Sequence, residues 1–234
     1  MNINVCNKKY TIEQKVNNIL QALDFIKTKL DRSLAYRSGC KSGVCGSCAI
    51  RVNGVERLAC KTDIKDGDTI EPLKNSMIIK DLVVDIEQRE EILKKVDPSI
   101  KTKSDLEISA KDEKKIDKET NCILCGSCYS ACAVFEVNKE FIGPFALVKS
   151  YRYIEDKKES EILSKIDAIQ DKGVWDCTLC GGCDMVCPAH IPIKNNIMQL
   201  QNKSVMLGYN NPNMANYGSG FDTTVDFGFN PNQF

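Results

Sequence analysis

Histidine and tryptophan are almost missing from this chain of 234 residues, which holds one of each. With His190 as the sole imidazole, mixed cysteine/histidine zinc sites do not suit the chain as a theme. A charge excess is missing too, since 32 basic residues balance 32 acidic ones. That balance makes no electrostatic case for nucleic acid or for an anionic membrane surface. No apolar run is long enough to span a bilayer, so membrane association has to come through a partner. The opening MNINVCNKKY lacks a charged n-region, an apolar stretch and a cleavage site, and no signal peptide is expected.

Cysteine, in contrast, is abundant, with thirteen in the chain. Without an export signal a reducing compartment is expected, where thiols stay reduced, which argues for metal rather than a disulfide scaffold. The length allows two modest domains. Over residues 1–85, INVCN and KKYTIEQ read as short strands, and Ile19, Leu23, Ile26 and Leu30 mark an amphipathic helix over 17–30. CAIRV and VERLAC flank Asn53-Gly54, a hairpin signal, and Asp66-Gly67-Asp68 turns into the strand TIEPL. Residues 86–118 are charge-rich and read as a connecting helix and a solvated linker. Beyond 119 the pattern is helical. PFALVKSYRYIEDKK and ESEILSKIDAIQDK are candidate helices, and IPIKNNIMQLQ puts Ile193, Ile197 and Leu200 on one face behind a first-turn Pro192. The expected division is 1–96, 97–207 and an Asn/Gly/aromatic tail over 208–234. The tail's six aromatics suit draping over a partner better than a purely solvated segment.

Twelve of the cysteines fall into three sets. Cys40, Cys45, Cys48 and Cys60 have the spacing C-x4-C-x2-C-x11-C, the plant-type [2Fe–2S] pattern, whereas zinc knuckles show paired C-x2-C units. Gly39, Gly43 and Gly46 let the backbone wrap such a cluster with N–H groups aimed at sulfur. The other two sets are an internal repeat. Residues 122–132 and 177–187 both read C-x2-C-x2-C-x3-C, the bacterial ferredoxin run. In two-cluster proteins the fourth cysteine of each run ligates the other cluster. One [4Fe–4S] cluster is then expected on Cys122, Cys125, Cys128 and Cys187, and another on Cys132, Cys177, Cys180 and Cys183. The second of these is open to a [3Fe–4S] reading in which Cys180 stays a free thiol. Cys6, in the first strand, is left over as a small buried hydrophobe. No catalytic residue is expected, because three clusters in series form a wire.

A plant-type domain followed by a bacterial-type domain resembles the iron–sulfur subunit of succinate dehydrogenase and fumarate reductase. RSGCKSGVCGSCAIRVNG with LACKT, IEPLKNSMIIKDLVVDI, and FIGPFALVKSYRYIED carry the resemblance over residues 1–200, with GVWDC and CP in the expected places. It implies an α+β chain: an N-terminal β-grasp plant-type [2Fe–2S] ferredoxin domain, then an all-α two-cluster bacterial-type ferredoxin domain. It implies single-electron transfer between a flavoprotein subunit carrying FAD and a quinone-side subunit, in the tricarboxylic acid cycle or anaerobic respiration. The first domain would face the flavin and the helical one the quinone or an anchor, with peripheral attachment at the cytoplasmic face of the cell membrane.

Departures from the familiar pattern point to a non-classical branch of the family. Cys180 stands where the best-known members lack a cysteine, Ala133 follows Cys132 in place of proline, and the quinone-side tryptophan has no match, since Trp175 precedes the second run. In that branch a cysteine-rich subunit resembling those of heterodisulfide reductase replaces the haem-bearing anchor, and the alternative reading has thiols as the electron source. A free soluble polyferredoxin carrier is the competing reading from another class. The iron–sulfur part of another membrane-linked dehydrogenase and a structural zinc protein stand further behind. Arg51 reads as an exposed strand arginine, His190 as a surface residue at a helix entry, and Tyr151-Arg152 as structural.

Overall fold

A computed structural model describes residues 1–212. The tail expectation therefore lies, from 213 onward, outside the described residues. β1 (Asn2–Val5) and β2 (Lys8–Thr11) pair through a two-residue turn, Cys6-Asn7, at φ 49° and 67°. Cys6 thus sits in the turn rather than in the strand, and it is half-buried rather than buried. The helix α1 (Ile19–Phe25) starts at Asn18, whose side chain accepts the Gln21 N–H at 3.0 Å, and it runs on into a π-helical turn, Ile26–Leu30. β3 (Ala49–Val52) and β4 (Val55–Leu58) flank Asn53-Gly54, where φ is positive at both residues, as a type I′ hairpin requires. β5 (Thr69–Glu71) completes a five-stranded sheet ordered β2-β1-β5-β3-β4, parallel between β1 and β5. Alternation along the strands turns Ile3, Val5, Ile50, Val52 and Ile70 to one face, where Ile19, Leu23 and Ile26 cover them. This is the expected β-grasp arrangement. A small hairpin of β6 (Ile78–Lys80) and β7 (Val83–Val84) follows.

α2 (Glu87–Val96) leaves the sheet, and its Ile92 and Val96 are buried in the second core. The charge-rich segment departs from a solvated linker in two ways. Residues 101–104 run beside 158–160, with Ser104 N donating to Lys158 O (2.8 Å) and Ser160 N to Thr102 O (3.1 Å). α3 (Ala110–Thr120) also starts earlier than the pattern implied, because Ser109 and Asp112 form a capping box. The rest is helical: α4 (Ser127–Ser130), α5 (Ala133–Val137), α6 (Pro144–Ile154), α7 (Ile162–Asp167), α8 (Gly182–Val186) and α9 (Ile193–Met206). α6 is buried on nearly every side through Phe145, Ala146, Leu147, Val148, Tyr151 and Ile154, which makes it the central post. Ile193, Ile197 and Leu200 of α9 belong to the same buried core, and Tyr151 donates to Gln199 Oε1 at 2.8 Å.

Polar contacts join the two units. Glu56 on β4 is buried and accepts from Ser130 Oγ at 2.7 Å, and that oxygen accepts from Lys74 N at 2.8 Å. The Asn75 amide donates to the carbonyls of Tyr129, Ser130 and Cys132. Arg51 belongs to this junction, paired with Glu56 (3.7 Å) and Glu71 (3.3 Å) and only 14% exposed. It is therefore not the exposed strand arginine expected, because β4 places Glu56 opposite it in the ladder.

Candidate metal centres

The first set is built by one loop and one hairpin. The ladder pairs Ala49 with Leu58, and Ala59 N donates to Cys48 O at 3.0 Å, which brings Cys60 up beside Cys48. These two thiols are buried, while Cys40 and Cys45 lie on the exposed loop. Backbone N–H groups already point at sulfur there: Cys40 N donates to Cys45 Sγ and Ser42 N to Cys40 Sγ, each at 3.4 Å. Hydrogen bonds from Ser42, then from Val44, draw the Cys40 thiol down to about 5. Burial beside Cys60 pushes Cys48 up to about 11. Gly46 adopts φ +71°, and a methyl group on it would lie 2.7 Å from Cys125 Cβ. The absence of a side chain there lets the first cysteine loop touch the second set.

The internal repeat recurs in the backbone. Leu124 and Leu179 both adopt positive φ (52° and 55°), followed by Gly126 and Gly181 (82° and 79°). A left-handed leucine costs on the order of 1–2 kcal/mol, so holding it twice at the same place implies a shared local purpose. That purpose is visible at Leu179, whose N–H donates to Cys177 Sγ at 3.4 Å; burial pushes the Cys122 thiol up, and the Leu124 N–H works against that rise. The fourth cysteines cross over. Burial and then neighbouring thiols raise Cys128, the neighbours being Cys125, Cys122, Cys183 and Cys187. Cys183 is raised by burial, then by Asp184, Cys177, Cys132 and Cys180. A single apolar-walled cavity is lined by Cys122, Cys125, Cys128 and Cys187 together with Phe145 and Pro188. Cys187 thus faces the first run and Cys132 the second.

Every cysteine is free of disulfides. Among the described residues no three cysteine, histidine or carboxylate side chains close on one metal ion. An iron–sulfur cluster spreads its irons over several atoms and does not need ligands to meet at one point. Three four-thiol sets, with N–H groups directed at sulfur, fit such clusters in donor chemistry. Of the other residues singled out, Tyr151 ties α6 to α9, and Arg152 pairs with Asp156 at 2.5 Å. His190 is exposed at φ 53°. Trp175 is buried, its indole N–H donating to Gln170 Oε1 at 2.9 Å. Sequence reading passed over Arg89 of α2, whose guanidinium lies on Gly126. Nothing in a charge-rich helix of alternating signs distinguishes that arginine in advance.

A family model described as a 2Fe-2S iron-sulfur cluster binding domain matches residues 2–91, and one described as a 4Fe-4S dicluster domain matches residues 119–191. The fumarate reductase iron–sulfur subunit of Haemophilus influenzae is 37% identical over 195 residues, covering 74% of this chain and 76% of that protein. The chain belongs to the fumarate reductase and succinate dehydrogenase iron–sulfur subunit family. The 8-methylmenaquinol:fumarate reductase iron–sulfur subunit of Wolinella succinogenes is 34% identical over 220 residues, covering 86% of this chain and 68% of that protein. In fold the chain matches the Mycobacterium smegmatis Sdh1 complex in the apo form with a TM-score of 0.81 at 24% identity, covering 89% of this chain and 97% of that one. This iron–sulfur subunit is therefore an electron-transfer component of an oxidoreductase, with a two-iron domain followed by a four-iron dicluster domain. Its relatives are subunits of larger complexes, which favours that reading over a free carrier.

Proposed function

We propose that this iron–sulfur subunit conducts single electrons between an FAD-bearing flavoprotein subunit and a quinone-side subunit, through centres held by Cys40/45/48/60, Cys122/125/128/187 and Cys132/177/180/183. When bound, each cluster supplies a one-electron site whose potential responds to sulfur hydrogen bonds, burial and nearby charge. The observation that supports the reading best is the cavity shared by Cys187 with Cys122, Cys125 and Cys128, with Cys132 the neighbour of Cys177. It supports second and third centres side by side, and the Gly46–Cys125 contact supports a first centre close to the second. These two contacts favour a wire that runs from the first centre through the second to the third. Residues 1–96 hold the first centre and 97–207 the other two.

The exposed Cys40–Cys45 loop suits the flavoprotein side. Val137 and Met185, 86% and 85% exposed, follow Cys132 and Cys183 and offer apolar surface to the quinone-side subunit. No helix among the described residues is long and apolar enough to cross a membrane. The relatives are subunits of larger complexes, which supports peripheral attachment through partners, at the cytoplasmic face in this reading. The Wolinella relative's name suggests menaquinol-linked fumarate reduction, while the thiol-linked, heterodisulfide-reductase-like partner is the second reading, favoured by the extra thiol at Cys180. A tagged chain isolated anaerobically from its own cells should carry a flavin-containing subunit and interconvert succinate and fumarate. Isolation as a single polypeptide with all its iron would defeat the subunit reading.

Cys180 makes the third centre a [4Fe–4S] site. It is the exposed member of its set, whereas Cys132 and Cys183 are buried. Oxidised native protein should lack a strong three-iron EPR signal. Cys180→Ala should gain that signal and lose one iron per chain. A native preparation that already shows the three-iron signal at full intensity would overturn this assignment.

A further inference from the structure

Arg89 enters the second unit on α2 with its guanidinium against the backbone of Gly126. A methyl group at Gly126 would lie 2.0 Å from Arg89 Nη1 and 2.9 Å from Cζ. Gly126 stands between Cys125 and Cys128, which are the principal attractive electrostatic partners of Arg89. Arg37 is its like-charged neighbour, tied by Nη2 to Val84 O at 3.2 Å. Both arginines line the cavity that also reaches Cys45, Gly46 and Cys125, between the first and second cysteine sets. Arg89 Nε is buried with no hydrogen-bond partner among the described residues, and no carboxylate there forms an ion pair with this side chain. Arginine keeps its proton at any working pH, so the charge has to be met by something else. Arg89 is half-buried, a cation taken partly out of water loses hydration, and the anionic thiolates and sulfides of a bound cluster are the compensation this site offers.

We propose that Arg89 is a positioning and potential-setting residue for the cluster held by Cys122, Cys125, Cys128 and Cys187, facing that anionic centre with its guanidinium. The inference rests on the ligand assignment above. Reduction adds one electron and no proton to that cluster, and a fixed cation favours the more negative state. Arg89 therefore raises the midpoint potential. Gly126 keeps the space for the guanidinium, and Arg37 extends the positive wall toward the first centre.

The test is an EPR-monitored redox titration of the intact holoprotein as wild type, Arg89→Gln and Arg89→Lys, with iron and sulfide analysis of each. Arg89→Gln should keep full iron while the reduction constant of the first-run cluster falls at least threefold, about 28 mV at 59 mV per tenfold for one electron. The cluster on Cys177, Cys180 and Cys183 should stay within error and serves as the internal control. Arg89→Lys should hold the potential closer to wild type than Arg89→Gln does. An unchanged midpoint in a fully loaded Arg89→Gln protein overturns the proposal. If Arg89→Gln fails to load, Arg89→Lys decides. A loaded Arg89→Lys protein supports the role of charge, and loss of the cluster from both variants overturns it in favour of shape. Wild-type protein lacking the two four-iron signals would instead count against the ligand assignment itself.

Discussion

Replacing Cys187 by alanine removes the cluster of the first run, although Cys187 belongs to the second. The expected loss is four irons per chain, one [4Fe–4S] unit, with the other four-iron cluster intact. Cys132→Ala does the reverse. The reason is positional. Cys187 is an electrostatic neighbour of Cys122 and Cys128 and lines their cavity, while Cys132 is a neighbour of Cys177 and Cys183. The decisive comparison is with the leading cysteines of each run. In EPR spectra of the reduced protein and in iron content, Cys187→Ala should match Cys122→Ala, and Cys132→Ala should match Cys177→Ala. If Cys187→Ala instead matches Cys177→Ala, each run holds its own cluster and the exchange is wrong. Either loss opens the wire in its middle or at its end, so electron delivery to the quinone side should stop in both variants.

Lys165→Met should be the most damaging change away from the cysteines. Lys165 and Glu159 are paired at 3.3 Å with side chains 2% and 0% exposed. Lys165 also donates to the carbonyls of Asp97 and Ser99, which pins the connecting segment onto the helical unit. Removing the lysine leaves a carboxylate buried without its cation, a loss of about 3–5 kcal/mol. Urea unfolding of the anaerobic holoprotein, followed by Trp175 fluorescence, should show a large fall in the transition midpoint. The double variant Lys165→Met/Glu159→Gln should regain part of it, because no orphan charge remains and the amide oxygen can still accept from the Lys101 and Glu161 N–H groups. A single-variant shift worth less than about 1 kcal/mol, the level of an exposed pair, would contradict this account.

Acid should act on the same clasp. Burial pushes the Glu159 carboxyl up, but N–H groups of Lys101 and Glu161, together with Lys165, outweigh burial and hold it below its ordinary value. A carboxyl with a folded pKa below its unfolded one stabilises the fold above the unfolded value, about 4.3, and that contribution is lost as pH falls through the folded value. Glu159→Gln should therefore flatten the loss of stability below about pH 4.

Much of the local structure was legible in the chain. Asn53-Gly54 announced its hairpin, and Ile193, Ile197 and Leu200 announced the buried face of α9, because side-chain period and left-handed turn residues act over a few positions. Ser109 and Asp112 carried a helix start that the surrounding charge concealed. Cys6 was misplaced by one residue, just past the end of β1, and Arg51 was taken as exposed, since neither strand end nor cross-strand partner is written locally.

By itself, the sequence determined the twelve candidate ligands, the repeated cysteine loops and the membership of the family, because thiol spacing and glycine placement decide which backbone can wrap a cluster. Only the tertiary structure decided what stands next to each loop. Gly46 meets Cys125 across the two units, Arg89 settles on Gly126 from a distant helix, and Lys165 reaches the Asp97 and Ser99 carbonyls of the connecting segment. These contacts join residues far apart in the chain, and they exist because two apolar cores bury their faces and leave the charged groups between them few places to go.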